Sequence, residues 1–377
     1  MSDTPSPDKS SSRNPISAKP RFQTSHTAEA HTVETYTVGN SATRVVISPL
    51  SAADLLAQHR ERLHGSLLVA DENTIELCGS AAVPRVVLPP GESAKQWSSV
   101  SRIIETALES GIGRDGRIIG VGGGVICDIA AFAASIYLRG VAITLVPTTL
   151  LAMVDAAFGG KTGINFGGYK NMVGTFYPAA DLLVAPSAVA SLPEREYHSG
   201  LAEAIKSAML GDTELFSLFE REPEAVLQRE SATVRAMVER SLAIKASVVE
   251  RDFTERGIRA WLNLGHTFAH ALESVAGLGL WSHGEAVAWG MACALDLGVD
   301  LGITDRAYAA RATALLERYG FRLRADGVGV DDLLQAMQYD KKVQSGAVRF
   351  VLQRDLGLTE VVTAPPDAVQ AVLAKHT

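Results

Sequence analysis

Three of the nine histidines in this chain fall within 18 residues. His266 and His270 are four apart in Asn263-Leu264-Gly265-His266-Thr267-Phe268-Ala269-His270, which places both imidazoles on one helical face. His283 follows at a helix start, and upstream Glu203 and Lys206 sit three apart on another helical segment. Three protein ligands with one position left open is the plan of a catalytic zinc centre. A lone helical histidine is more often a hydrogen-bonded core residue. Three in one apolar, glycine-punctuated segment favour ligation, although spacing alone leaves open which two of them ligate. The helical pair lacks the glutamate of HExxH, so proteolysis by that route is disfavoured.

A second chemistry is written in the lysines. The chain carries 25 arginines but only 10 lysines, and away from the ends the lysines are Lys95, Lys161, Lys170, Lys206, Lys245, Lys341 and Lys342. A compact ammonium binds phosphate oxygens as a point charge, which arginine does differently. Gly159-Gly160-Lys161-Thr162-Gly163 resembles part of a P-loop but lacks its first glycine, so an ATPase is rejected. Lys161, Lys170 and Asn171 still read as an anion-holding loop. Gly120-Val121-Gly122-Gly123-Gly124 follows a strand and opens a helix with Asp128 one turn inside, a place for a pyrophosphate against free helix N–H groups. Asp71 ends another strand and could accept from a ribose hydroxyl, and Gly91-Glu92 with Lys95 ends a third.

These residues need a frame. Expected strands are 44–48, 66–70, 85–88, 117–121 and 142–146, alternating with helices 94–110 and 125–137, the pattern of a parallel α/β layer. Past Leu192 the texture is helical: 196–210, 231–251, 258–275, 284–301 and 306–319, with a late strand at 348–352. The expected plan is a disordered tail over 1–33, an α/β nucleotide-binding domain over 34–192 and a mostly α-helical metal- and substrate-binding domain over 193–377. Their cleft is the natural ligand site. A net charge of −7 excludes a broad field for nucleic acid or anionic lipid. Cys78, Cys127 and Cys293 form no CxxC pair, and no secretory or membrane-spanning segment is legible, so a cytoplasmic protein is expected.

Taken in order, the motifs resemble the sugar phosphate cyclases, and among them the 3-dehydroquinate synthase family. The matching text is Gly122-Gly123-Gly124-Val125-Ile126-x-Asp128, Tyr137-Leu138-Arg139-Gly140, Val146-Pro147-Thr148-Thr149-Leu150-Leu151, Val154-Asp155 and Gly159-Gly160-Lys161-Thr162. It continues in Lys170-Asn171-Met172, Gly200-Leu201-Ala202-Glu203-x-Ile205-Lys206, Asn263-Leu264-Gly265-His266-Thr267, His283-Gly284-Glu285 and Asp340-Lys341-Lys342, so that it spans about residues 40–360. The resemblance implies a dehydroquinate synthase-like fold. It makes Glu203, His266 and His283 ligands of zinc or cobalt, with His270 beside them. It makes residues 90–95 (Gly91, Glu92 and Lys95 among them), Gly123, Gly124, Val125, Asp128, Thr148 and Thr149 NAD contacts, with Asp71, Lys161 and Lys170 alongside. Arg139, Asp155, Lys161, Asn171, Lys206, Lys245, Arg259, Asn263, His270 and Lys341 become the substrate pocket. Two departures stand out: Cys127 and Ala131 replace glycines common in the family, and Asn165-Phe166-Gly167-Gly168-Tyr169-Lys170 is similar to a segment of cyclases acting on sedoheptulose 7-phosphate.

The implied reaction takes a seven-carbon 2-keto acid phosphate through transient oxidation by NAD, loss of phosphate, reduction and an intramolecular aldol closure. Lys161, Asn171, Asn263 and Lys341 are expected on the phosphate, and Arg259 with Lys245 on the carboxylate. The expected partners are that small phosphorylated keto acid and a second copy of the chain. Aminodehydroquinate and sedoheptulose 7-phosphate cyclases, a metal-dependent polyol dehydrogenase and a catalytically silent nucleotide-binding protein are the alternatives.

Overall fold

Strands buried on both faces must be apolar at successive positions, and the first half of the chain meets that demand. The computed structural model describes residues 31–59, 64–80, 82–277, 279–339 and 348–377. Asp340, Lys341, Lys342 and the tail up to residue 30 lie outside them. Seven strands form one sheet in the order β1-β2-β9-β6-β5-β3-β4: β1 (Thr32–Val38), β2 (Ser41–Ile47), β3 (Ser66–Asp71), β4 (Arg85–Leu88), β5 (Arg117–Gly122), β6 (Ala142–Pro147) and β9 (Asp181–Val184). Only β1 runs antiparallel to its neighbour. Thr32 and Val33, assigned above to the tail, are its first residues.

Period-two alternation sorts each strand between two cores. Leu67 and Val69 of β3 and Ile118 of β5 enter a large core, while Leu68, Ala70, Ile119 and Val121 enter a smaller one under α1 (Ala52–Gln58). The large core runs unbroken past α2 (Trp97–Glu109) and α3 (Gly124–Ile136) into the helices of the second half. The chain passes from β3 outward to β4 and back across to β5, so a topological switch lies between β3 and β5. Ligands of such sheets bind at the C-terminal strand ends beside that switch. Asp71, Gly122 and Pro147 end their strands there.

Between β6 and β9 lies a hairpin of β7 (Ile164–Phe166) and β8 (Tyr169–Val173). Its two-residue loop is Gly167-Gly168, with φ of 61° and 82°. Positive φ at both central positions is what a tight hairpin of the right twist requires, and glycine adopts it without strain. The unusual Asn165–Lys170 segment is therefore a compact hairpin.

The second half contains α4 (Glu194–Gly211), α5 (Thr213–Arg221), α6 (Pro223–Leu227), α7 (Ser231–Val249), α8 (His266–Ala276), α9 (His283–Asp300), α10 (Arg306–Arg318), α11 (Val330–Tyr339), the hairpin β10 (Arg349–Asp355) and β11 (Leu358–Thr363), and α12 (Pro366–His376). The continuous helix expected over 258–275 is broken. Residues Ile258–Asn263 form a 3-10 turn, Gly265 is left-handed at φ 78°, and α8 starts at His266. The break lets Gly265 press on α9. A Cβ on Gly265 would lie 2.7 Å from the Met291 nitrogen, and one on Gly290 would lie 2.2 Å from the Gly265 carbonyl oxygen. Gly284, next to His283, meets the Ser199 backbone of α4 in the same manner, at 2.3 Å. Backbone cannot yield as a flexible side chain does. Gly290→Ala is expected to cost about 1–3 kcal/mol or more by overpacking, read as a lower urea midpoint; an unchanged midpoint would refute the close crossing.

Candidate active site

The close helix crossings bring three chemically able side chains together. Glu203 projects from the middle of α4, while His266 and His283 are the first residues of α8 and α9. Their ligand atoms all lie within 4.8 Å of one another. Glu203 is fully buried, and its Oε1 is 3.2 Å from His283 Nε2 and 3.5 Å from His266 Nε2. Its Oε2 forms an ion pair with Lys206 yet has no partner of hydrogen-bonding geometry. Burial opposes a charge on Glu203, but Lys206 and His283 prevail and hold its pKa below the ordinary value. Burial likewise disfavours the His283 imidazolium, but Glu203 and Glu273 overrule it and lift its pKa to about 10. A carboxylate that keeps a proton on its imidazole neighbour is a carboxylate short of positive charge. A divalent cation replaces that proton directly. The donor set, two imidazoles and one carboxylate, suits zinc or cobalt.

The supports of this group are local. The Ser282 side chain and Glu285 close a capping box that fixes the first turn of α9, and His266 Nδ1 lies 3.1 Å from the Leu264 carbonyl oxygen. His283 Nδ1 lies 3.7 Å from Glu273 Oε1, which also accepts from Lys170 Nζ at 3.2 Å. His270 stacks edge-on to His266, ring centres 5.6 Å apart. Glu273 escaped the sequence reading, although it sits seven residues after His266 and three after His270, on the same helical face.

A second cluster lies where Gly159 turns, at φ 99°. A Cβ there would meet Arg259 Nη2 at 3.1 Å and Lys245 Cε at 3.4 Å. The side chain of Lys245 donates to Asp155 Oδ1 at 2.5 Å and to its carbonyl oxygen at 2.6 Å. Asp155 is carried by a π-helical turn, Ala152–Ala156, a local distortion frequent at functional positions. Burial works against the Asp155 charge, but Lys245, Lys206 and Lys161 hold its carboxyl well below the usual range. Arg259 is 1% exposed. Its fork donates to the carbonyl oxygens of Gly159, at 2.8 Å, and Phe253, and its Nε is left without a partner. The carboxylates that act on this guanidinium, Glu255, Asp155 and Asp252, do so without an ion-pair contact. Further out, Lys161 pairs with Glu255, and Asn263 Nδ2 donates to the same carboxylate at 2.6 Å. Glu255, too, was not foreseen, and its loop has no periodicity that would have singled it out.

The third cluster is at the strand ends. Glycines there serve close packing: a Cβ on Gly123 would come 3.0 Å from Thr149 Cγ2, and one on Gly124 would come 3.2 Å from Ala156 Cβ. The N-terminus of α3, with Val125 in its first turn, thus packs against Thr149 and carries no side-chain cap. Thr148 N–H donates to the Gly122 carbonyl oxygen. Lys95 Nζ reaches Asp128 Oδ2 at 2.5 Å and Asn171 Oδ1 at 2.6 Å. Even with that ammonium present, burial raises the Asp128 pKa. After Gly91, left-handed at φ 88°, Glu92 accepts from Asn165 Nδ2 at 2.8 Å. Asp71 Oδ1 is taken by the N–H groups of Asn73 and Thr74 and by the Thr74 hydroxyl.

Three of the expected contact residues have these surroundings. Lys170, expected at the dinucleotide, has its ammonium on Glu273 at the metal group, because neighbours along β8 point to opposite faces. Asn171, expected on the substrate phosphate, is bound to Lys95 instead. Arg139 is exposed and left-handed at φ 69°, and makes no hydrogen bond or ion pair among the described residues. Lys341 lies outside the described residues.

Comparison with known proteins decides the family. The models described as 3-dehydroquinate synthase N-terminal and C-terminal match residues 85–199 and 200–343. The chain belongs to the 3-dehydroquinate synthase family. It is 44% identical over 290 residues to the 3-dehydroquinate synthase of Acidithiobacillus ferrooxidans, covering 76% of this chain and 79% of that protein. A 2-epi-5-epi-valiolone synthase from Streptomyces hygroscopicus subsp. jinggangensis, solved with NAD+ and Zn2+, superposes with a TM-score of 0.80 at 28% identity over 91% of this chain and 98% of that one. A 2-deoxy-scyllo-inosose synthase solved with carbaglucose-6-phosphate, NAD+ and Co2+ shares the fold, with a TM-score of 0.81 at 21% identity over 92% of this chain and all of that one. The boundary between the two family models falls within α4, four residues before Glu203.

In this 3-dehydroquinate synthase family member, Glu273 supports a ligand from behind. Removing such a partner typically weakens metal binding about 10- to 100-fold. Glu273→Gln is expected to lower zinc affinity by that factor while leaving the helical circular dichroism unchanged. Competition with a chromogenic chelator measures it, and equal affinity would reject the support.

Proposed function

We propose that the chain is a 3-dehydroquinate synthase, a carbon–oxygen lyase that converts 3-deoxy-D-arabino-heptulosonate 7-phosphate to 3-dehydroquinate and phosphate. The observation that carries the substrate choice is the pair Arg259 and Lys245 converging on Gly159. The Lys245 ammonium is paired with Asp155, whereas the buried Arg259 guanidinium is in no ion pair among the described residues and its Nε has no partner. Such a fork-shaped guanidinium beside an ammonium suits a substrate carboxylate. Glu203, His266 and His283 would hold the divalent cation. The strand-end crevice at Gly123, Gly124, Val125, Thr148 and Thr149 would hold NAD. When bound, the cation acidifies the substrate hydroxyls it contacts and NAD takes up and then returns a hydride, so the dinucleotide is recycled.

The chain's own groups do the rest. Lys161 and Asn263 orient the phosphate, with Lys341 assigned to it from the sequence. Lys206 keeps Glu203 ionised, and Asp155 keeps Lys245 in place. Asp155 and the His270 imidazole are the groups assigned to proton relay. The reaction's leaving phosphate can itself accept the proton, so no strong protein base is needed. No helix among the described residues is long and apolar enough to cross a membrane. The proposal extends to a homodimer in the cytoplasm, which sedimentation and cell fractionation test.

Three measurements discriminate. With substoichiometric NAD+, the metal-loaded protein is expected to release many equivalents of phosphate per nucleotide; one NADH accumulating per product would instead make it a dehydrogenase. Charge-assisted hydrogen bonds are worth roughly 1.5–3 kcal/mol, or about 10- to 150-fold. Arg259→Ala is expected to lower kcat/KM on the keto acid phosphate by at least that order. Sedoheptulose 7-phosphate, which has no carboxylate, is expected to be a poor substrate of the parent protein. Preference for it would overturn the substrate assignment and leave a cyclase.

A further inference from the structure

Lys161 and Asn263, assigned above to the substrate phosphate, already grip an anion. Glu255 forms an ion pair with the Lys161 ammonium and accepts from Asn263 Nδ2 at 2.6 Å. An ammonium and an amide donor converging on two oxygens are the complement of phosphate as much as of a carboxylate. The surroundings of Glu255 show that this pose is built. Its backbone is left-handed at φ 60°, a conformation that non-glycine residues hold only when neighbours impose it. The imposing residue is Asp252. Its Oδ1 accepts the Arg256 N–H at 3.0 Å, and its Oδ2 accepts the N–H groups of Gly257 at 2.7 Å and Arg259 at 2.9 Å. The turn that carries Glu255 over the pocket is thereby clamped at its far end.

Stability does not account for the arrangement. The Lys161 side chain is 50% exposed and that of Glu255 is 25% exposed, and ion pairs so open to water add little. Their openness also means that a solute can reach them. Burial works against the Glu255 charge, but Lys161 and Asn263 hold its carboxyl below the ordinary pKa, so it meets an arriving phosphate as a carboxylate.

We infer that Glu255 is an internal surrogate for the substrate phosphate: its carboxylate fills the anion subsite of the ligand-free chain and is expelled when a phosphate takes Lys161 and Asn263. The subsite is then never an uncompensated positive patch. It also discriminates, because a ligand must offer these donors more charge than one carboxylate does. This inference rests on the reading of Lys161 and Asn263 as phosphate contacts.

The test is titration calorimetry of inorganic phosphate into the full chain loaded with metal and NAD+. Glu255→Gln keeps the shape and removes the charge, and it is expected to bind phosphate at least tenfold more tightly than the parent. Glu255→Ala carries the same expectation should the glutamine variant fail to fold, with thermal melting as the check. Equal or weaker binding in the folded variant overturns the surrogate role. Lys161→Gln separates the two readings. If it weakens phosphate binding while Glu255→Gln has no effect, the phosphate site stands and only the surrogate is rejected. If Lys161→Gln changes nothing in either background, the anion subsite lies elsewhere and both readings fall.

Discussion

A carboxylate with no access to water dictates much of this molecule. Glu203 is fully buried in the middle of α4. Withdrawing such a charge from solvent costs several kcal/mol unless partners surround it. Lys206 supplies one from the next turn of the same helix, and the imidazoles of His266 and His283 supply the others. To deliver them, two helices must begin at the same point. That accounts for the break at Gly265, the capping box at Ser282 and the glycines where α8 and α4 press on α9.

The same logic spreads outward through the lysines. Each described lysine has a carboxylate partner: Lys95 with Asp128, Lys161 with Glu255, Lys170 with Glu273, Lys206 with Glu203, Lys245 with Asp155 and Lys375 with Asp300. In a chain that otherwise prefers arginine, these are positions where an ammonium is held ready and charge-balanced. Arg259 differs, since its donors end on backbone carbonyls. Beside Gly159, the Arg259 guanidinium is thus a buried cation without an ion pair among the described residues.

What was legible in the sequence follows from range. Strands 85–88 and 117–121 could be read because short apolar runs reflect burial at each position separately. The metal triad emerged from motif order, whereas spacing alone left the choice between His266, His270 and His283 open. The expected helix 258–275 failed because its apolar period continues through Gly265, and only the contact with Gly290 on α9 forces the break. β1 was partly taken for tail, since its residues alternate with polar ones and gain burial only by pairing with β2. The partners of Lys170 and Asn171 were not legible, because which face of β8 each takes depends on a two-glycine turn. Glu255 was invisible, because its position is fixed by Asp252 through backbone bonds that leave no pattern in residue type.

That hairpin has a thermodynamic corollary. β8 sends Lys170 to Glu273, behind the Glu203, His266 and His283 group, and Asn171 to Lys95, at the strand ends. One short strand is thus tied at adjacent residues to the metal group and to the crevice proposed for the dinucleotide. Any cofactor that reorients Lys95 acts on the strand that braces Glu273. Linkage is reciprocal: whatever factor the dinucleotide imposes on metal affinity, the metal must impose on dinucleotide affinity. Under the proposed function, the surroundings of the two cofactors meet in this one hairpin and its Gly167-Gly168 turn.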